Sequence, residues 1–422
     1  MAFDVPSTRG RYTSLSDGWT YLNGVERAQI PGRVSTAVAT AFRMAPKKLA
    51  GEPSSGTHAR SQEAGESASA EMARSARGAF ADVAGCRARC VALGPSRMAL
   101  MSQLCDALSR RITLGSEVVV TRTGRPSLHR PLRRAADMYG ARLHVAEADL
   151  STGQVPAWQF DDLVGPSTAL VAVAAADPHV GTVAPVREIA DRVHARSRAW
   201  VLVDATDYAP HRVVDMDELG ADIVLLDATA WGGPDVAALA FRDEAMLDRL
   251  GSLAVRPGAR GVARLESSTV APGLLGGVAE SVQHLAELDQ AAAGTRRRRI
   301  EESMPQVADY LRTLTTRLIE SLAAIGSVHV LGADEDPAAA DIDRIGRVAF
   351  CVEAGGRAVE AADVVRRLLD NGVVASAVGA GESDLLEAIG VFEAGGAVAV
   401  GLQPFTTVHD IDQLVRAVAS FG

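Results

Sequence analysis

Asp204, His211 and Asp215 are the residues best suited to chemistry in the stretch Trp200 to Phe241. Asp204 closes the apolar run Trp200 to Val203. A carboxylate at the carboxyl end of a buried strand points into the crevice where open α/β sheets bind ligands. Asp177 and His179 follow an earlier apolar run, in Asp177-Pro178-His179. Together with His211 they suit an acid–base or metal cluster, because they follow the ends of adjacent strands; the alternative is loop hydrogen bonding. Gly94-Pro95-Ser96 stands between a short strand and a helix from about Arg97 to Arg110. The unpaired N–H groups and dipole of such a helix start make an anion site. Ser96 lacks the Gly-x-Ser-x-Gly setting of an activated nucleophile and reads as a turn residue. Cys86-x-x-x-Cys90 has no second pair, so no metal is expected.

These side chains need a scaffold, and the apolar pattern supplies one. Short apolar runs bounded by Gly, Pro and Asp read as buried strands at Cys90 to Leu93, Glu117 to Thr121, Arg142 to Ala146, Ala169 to Ala174, Trp200 to Asp204, Ile223 to Leu226 and Val236 to Phe241. Helical stretches fall at Arg33 to Arg43, Ala68 to Val83, Leu132 to Tyr139 and Val186 to Ala195. Such alternation predicts a mostly parallel sheet covered on both faces. Ile300, Met304, Val307, Leu311, Leu314, Leu318 and Leu322 form one helical stripe, with Pro305 expected in its first turn or at a kink and Arg296 to Arg299 as its solvated start. From Val328 the pattern is α+β: strands at Val328 to Leu331, Val348 to Val352, Val373 to Ala377 and Val398 to Leu402, with helices at Ala361 to Asn371 and Asp410 to Ser420. Gly51 to Gly65, polar and rich in Gly and Ser, reads as a loop.

The 422 residues allow one large domain and a smaller one. A net charge of -9 argues against nucleic acid as a main partner. No apolar run reaches the length of a membrane span, and Met1-Ala2-Phe3-Asp4 does not read as a signal peptide. Four cysteines suit a reducing cytosol, so a cytoplasmic location is expected. Of 43 basic residues only Lys47 and Lys48 are lysines.

The succession Asp204, Pro210-His211, Asp215, Gly220-Ala221-Asp222, apolar run, Gly233-Pro234 resembles the class V aminotransferase and cysteine desulfurase family, the fold-type-I enzymes that use pyridoxal phosphate. The resemblance covers nearly the whole chain. It implies an α/β fold with a mostly parallel seven-stranded sheet between helices and a smaller α+β C-terminal domain. The corresponding organisation is an arm over 1–45, a large domain over 46–285, a connecting helix over 286–326 and a small domain over 327–422. It also implies a homodimer, with the 51–65 region over the cofactor site and the partner.

Within that frame each family part maps by its neighbours. Asp204 matches the acid that pairs the pyridinium nitrogen, His211 the Pro-His histidine, and Thr269 the threonine that reaches across the dimer. The Schiff-base lysine falls at Ala230, in Asp227-Ala228-Thr229-Ala230-Trp231-Gly232-Gly233-Pro234. The phosphate-loop threonine falls at Met98, the ring-stacking histidine at Arg125, the ring-hydroxyl asparagine at Pro178 and the carboxylate-binding arginine at Ala399. Ala375 to Glu382 holds no cysteine for desulfuration. No pyridoxal phosphate, or only weakly bound cofactor, is therefore expected. Three readings stay open: a non-catalytic dimeric binding protein, an enzyme holding the cofactor non-covalently or through Lys47 or Lys48, and a cofactor-free enzyme using Asp204, His179 and His211. For the pocket itself, Ser96, Arg97 and Arg125 predict a site for a small anionic metabolite. Asp204 is expected either to cap a helix or to pair with Arg125.

Overall fold

The buried apolar runs assemble into one sheet of seven strands. In the computed structural model, which describes residues 3–50, 64–332 and 342–421, they are β1 (Val91–Gly94), β2 (Glu117–Thr121), β3 (Arg142–Ala146), β4 (Thr168–Ala174), β5 (Trp200–Asp204), β6 (Ile223–Asp227) and β7 (Ala237–Phe241). Their order is β1-β7-β6-β5-β4-β2-β3. All pairs are parallel except those of β7, which runs antiparallel to both β6 and β1. The cause is local: residues 228–236 are too few for a crossover, which takes a dozen or more. Strands β5, β6 and β7 are buried along their whole length, as helix-covered sheets require. Chain order reverses between β2 and β4, the kind of switch point at which open sheets open a ligand crevice.

A second sheet takes Val328–Val330, Arg347–Ala354, Ala397–Gly401 and Ser376–Val378 in that order, all antiparallel, with Arg357–Val359 also paired to Arg347–Ala354. The single strand expected over Val373 to Ala377 is two. Val373–Val374 pairs in parallel with Thr20–Tyr21 of the N-terminal arm, while Ser376–Val378 joins the second sheet. The arm is thereby tied to the second sheet, and Gly24 N–H donates to Gly401 O at 3.2 Å.

Helices depart from the sequence reading where proline lies inside them. The helix expected from Leu132 begins at Pro126 and runs to Tyr139 with Pro131 inside it. The long helix spans Arg296–Ala323, so Pro305 is interior rather than in the first turn. Its basic start is not simply solvated. Arg296 pairs with Asp82 and Arg297 with Asp215, while Arg299 donates to Gln283; only Arg298 projects outward. Of the expected 51–65 loop, residues 51–63 lie outside the described residues, and Gly65 belongs to the strand Ala64–Ser67, paired with Lys48–Ala50. Helix Gly32–Met44 packs on helix Pro272–Ala286 through glycines: a Cβ on Gly273, Gly276 or Gly277 would meet Phe42, Ala41 or Val38 at 2.2–2.4 Å. Among the described residues no helix is long and apolar enough to cross a membrane.

Candidate functional site

The loops after β2, β4, β5 and β6 supply the site. Asp204 ends β5, and its Oδ1 accepts from Thr206 N–H at 3.0 Å, closing the turn that carries Asp207. Burial raises the Asp204 pKa, although Arg97 and Thr206 pull the other way. Asp227 ends β6 and accepts from Thr229 through both N–H and Oγ1, at 3.0 and 2.7 Å. Those bonds hold the short turn Ala228–Trp231, which contains Ala230.

Two arginines converge on the Asp207 carboxylate. Arg125 Nε and Nη2 donate to its two oxygens at 2.8 Å each, and Nη2 also reaches Val25 O at 2.7 Å. Arg347 Nη2 lies 3.7 Å from Asp207 Oδ1. Burial alone would raise the Asp207 pKa; the charge and hydrogen bonds of Arg125, then the charges of Arg347 and Arg97, drive it well below the usual carboxylate range. Burial likewise opposes the charge on Arg125, and Asp207 outweighs it, so Arg125 stays cationic. Asp204 was one expected partner of Arg125, with helix capping as its other expected role. The partner of Arg125 is instead the acid three residues on, because Thr206 turns the chain and aims Asp207, not Asp204, at the loop after β2.

Arg97 opens helix Arg97–Ala107 and pairs through Nε with Asp227 Oδ2 at 3.1 Å, leaving a buried Nη1 without a partner. Ser96 is the cap of that helix, its Oγ accepting from Ala99 N–H at 3.2 Å, so its hydroxyl is committed to structure. Arg97, Arg125, Ser127 and His179 line one crevice of about 340 Å³, with Glu26 and Glu382 also on its wall. His179 is 4% exposed and its Nδ1 has no partner. Burial first, then Arg125, press its pKa down to about 3, so the ring is neutral. Asp177 anchors the same loop by accepting from the N–H groups of His179 and Val180 at 2.9 and 2.8 Å.

His211 stands apart from that crevice. It lines a second, small and partly enclosed cavity of about 10 Å³ with Ala230, Tyr12, His284 and Arg347. The expected grouping of Asp177, His179 and His211 is thus divided between two cavities, and among the described residues no group of three His, Cys, Asp or Glu is placed to hold a metal. Thr269 lies in an exposed loop with no side-chain hydrogen bond among the described residues. Met98 is 40% exposed, and Ala399 is buried in the second sheet opposite Ala349 and Ser376. Lys47 and Lys48 do not line the crevice. Sequence reasoning missed Asp207 and Arg347. Asp207 was available as a second acid in Asp204-Ala205-Thr206-Asp207; Arg347, at the head of an apolar run, carries no such signal.

Comparison with known proteins agrees with this architecture. The family model described as Aminotransferase class-V matches residues 28–414. The uncharacterized protein MT3887 of Mycobacterium tuberculosis is 40% identical over the full length of both chains. The apo cysteine desulfurase of Thermococcus onnurineus superposes with a TM-score of 0.81 at 18% identity, covering 100% of this chain and 99% of that one. A lysine-to-alanine mutant of C-DES, with glycine covalently linked to its PLP cofactor, superposes with a TM-score of 0.74 at 18% identity, covering 98% and 99%. At such identity these structures show the fold alone. With the sheet, its switch point and the family match together, the chain belongs to the class-V aminotransferase family and has its fold-type-I, pyridoxal-phosphate-enzyme fold.

Proposed function

We propose that this chain is a class-V scaffold without lysine chemistry, a homodimer that binds a small anionic ligand non-covalently in the crevice at the switch point. The observation that carries the reading is the pairing of Arg125 with Asp207 beside a free Arg97 Nη1, with Ala230 facing a separate cavity too small for a cofactor. A lysine-to-alanine change by itself does not decide the matter, since the C-DES mutant carries that change and holds a glycine–PLP adduct. The rest of the cradle supports the reading.

The residues present do not fit pyridoxal phosphate. The guanidinium of Arg125 is locked on Asp207 where a stacking ring would stand, and Met98 offers no hydroxyl to a phosphate. Asp204 is in place, yet burial favours its protonated form and weakens its hold on a cationic ring nitrogen. Each lost charge-assisted contact is worth about 1.5–3 kcal/mol, and three are worth roughly 5–9 kcal/mol if additive. Micromolar binding amounts to only about 8 kcal/mol. The cofactor therefore binds weakly or not at all, and Asp204, His211 and Thr269 remain as parts of the scaffold.

The homodimer is supported by exposed apolar side chains on the arm and the helix after it: Trp19, Ile30, Phe42 and Met44 are 37–51% exposed. These side chains are the apolar surface that a partner chain would cover. A second reading, a cofactor-free enzyme in the same crevice, draws on the neutral, buried His179 with its free Nδ1.

The test is the absorption spectrum of purified protein with pyridoxal phosphate, then borohydride reduction and peptide mapping. No aldimine band and no phosphopyridoxyl peptide are expected. A stoichiometric adduct on Lys47 or Lys48 overturns the reading. Light scattering should give twice the chain mass; a stable monomer at micromolar concentration removes the dimer from it.

A further inference from the structure

We propose that the small, partly enclosed cavity beside Ala230 is a binding site for one monatomic anion of the halide class, held by Arg347 and His211 where the arm, the large sheet and the second sheet meet. Tyr12 of the arm, His211 and Ala230 from the loops of the large sheet, His284 of helix Pro272–Ala286 and Arg347 of the second sheet all line it. Arg347, His211 and His284 are each 1% exposed. Arg347 Nε and Nη1, both ring nitrogens of His211 and His284 Nδ1 have no partner. Buried polar groups are normally hydrogen-bonded, so two unpaired guanidinium donors beside the unpaired N–H of a neutral imidazole around one cavity call for an acceptor.

Charge selects an anion over water. The carboxylate nearest Arg347 is Asp207, at 3.7 Å, and Arg125 already holds both its oxygens at 2.8 Å. Arg347 thus has only a shared carboxylate at a distance, and a buried charge is ordinarily paired more closely than that. Water would satisfy donors and leave that charge. Burial, followed by Arg347, holds His211 far below its ordinary pKa, so the ring is neutral and offers one N–H. Size narrows the class: about 10 Å³ is room for one water-sized body, so a halide seats there with a slight outward shift of the lining, whereas sulfate, phosphate or a carboxylate would need a larger one. Room for the guanidinium comes from two glycines. A Cβ on Gly401 would meet Arg347 Nη1 at 2.4 Å, and one on Gly24 at 3.1 Å. The cavity lies against Ala230, where a lysine ammonium would otherwise compete with Arg347 for the same space. This site is distinct from the crevice and does not depend on what the crevice binds.

Two measurements test it on the full-length chain. Crystals soaked in sodium bromide should give an anomalous peak in contact with Arg347 and His211; ordered water with no anomalous signal overturns the proposal. In solution, protein exchanged into sodium gluconate should melt several degrees higher as chloride or bromide replaces gluconate at constant ionic strength. Equal melting in all three salts also overturns it. Arg347→Met should abolish the halide response. If that variant does not fold, Ala230→Leu, which fills the cavity and keeps Arg347, should abolish it instead; a response that survives cavity filling counts against the site.

Discussion

In the large sheet, Val203, Val224, Leu225 and Leu226 are fully buried and their backbone groups are paired along the ladder. At the carboxyl edge of the same sheet, Arg97, Thr123, Asp177, His179 and Thr206 carry buried polar atoms with no partner. The first region satisfies itself, and the second is satisfied only in part by its own chain. That contrast places the fold in the strands and leaves the loops free to vary, so that a family fold can carry the site proposed here around Ala230. Four experiments break or sharpen it.

The largest effect is expected at Asp207. Asp207→Asn keeps the volume and removes the one carboxylate that faces Arg125 and Arg347. Removing one partner of a buried ion pair costs about 3–5 kcal/mol. Chemical denaturation should show that loss, as large as truncating a leucine in the sheet. A change below 1 kcal/mol would mean that the loops tolerate unpaired arginine and that the contrast is overstated.

Acid should act next. His179 and His284 are held at about 3, mainly by burial, and His211 is also well below its ordinary value of 6.5. Between those limits the unfolded chain binds more protons than the folded one, so stability falls as pH falls below 6.5. The loss is about 1 kcal/mol per histidine from pH 6.5 to 5.5. Asp177 and Asp204, raised by burial, work in the opposite sense, so the net slope is that of three histidines against two acids. Denaturation midpoints across pH 5 to 8 test the sign; a flat profile would mean that these rings find acceptors that hold a proton.

Ala230→Lys should cost about 1–3 kcal/mol, the usual penalty for overfilling a closed core, because its side chain enters a cavity of about 10 Å³ beside Arg347. Neither transamination nor cysteine desulfuration should appear, since Arg125, Met98 and Ala399 remain where other groups are needed. Activity in this variant would show that the cradle is more intact than its geometry indicates.

What was legible in the sequence follows from the same contrast. The strands stood out because each is an apolar run closed by Gly, Pro or Asp, and the position of Ala230 was fixed by Gly233-Pro234 downstream. Pro131 misled: it sits inside a helix whose tertiary packing outweighs its local cost, while Pro305 takes the interior one of the two placements open to it. Side-chain partners in the loops were less legible. Periodicity places Asp204 at the end of β5, but which of two acids three residues apart meets Arg125 depends on the turn made by Thr206. Arg347 was illegible for a stronger reason. Its pocket is made by Gly24, Asp207 and Gly401, brought together from three distant parts of the chain.

The smallest expected effect separates structure from ligand at Ser96. The hydroxyl caps helix Arg97–Ala107, so Ser96→Ala should cost about 1 kcal/mol, the usual value of an N-cap. Because Ser96 is exposed and lies outside the crevice lining, this variant should keep the melting shift that the proposed anion site is expected to give the unmodified chain with phosphate. Ser96→Asp is the sharper variant. Aspartate caps as well as serine, and its charge suits the helix dipole, so stability should be unchanged or slightly higher. The same charge stands beside Arg97 and competes with an incoming anion for the helix start and the free Nη1. The phosphate shift should therefore shrink or vanish in Ser96→Asp while surviving in Ser96→Ala. Melting curves over a phosphate series at matched ionic strength distinguish the two, and an equal shift in both would move the anion away from Arg97 and the helix start.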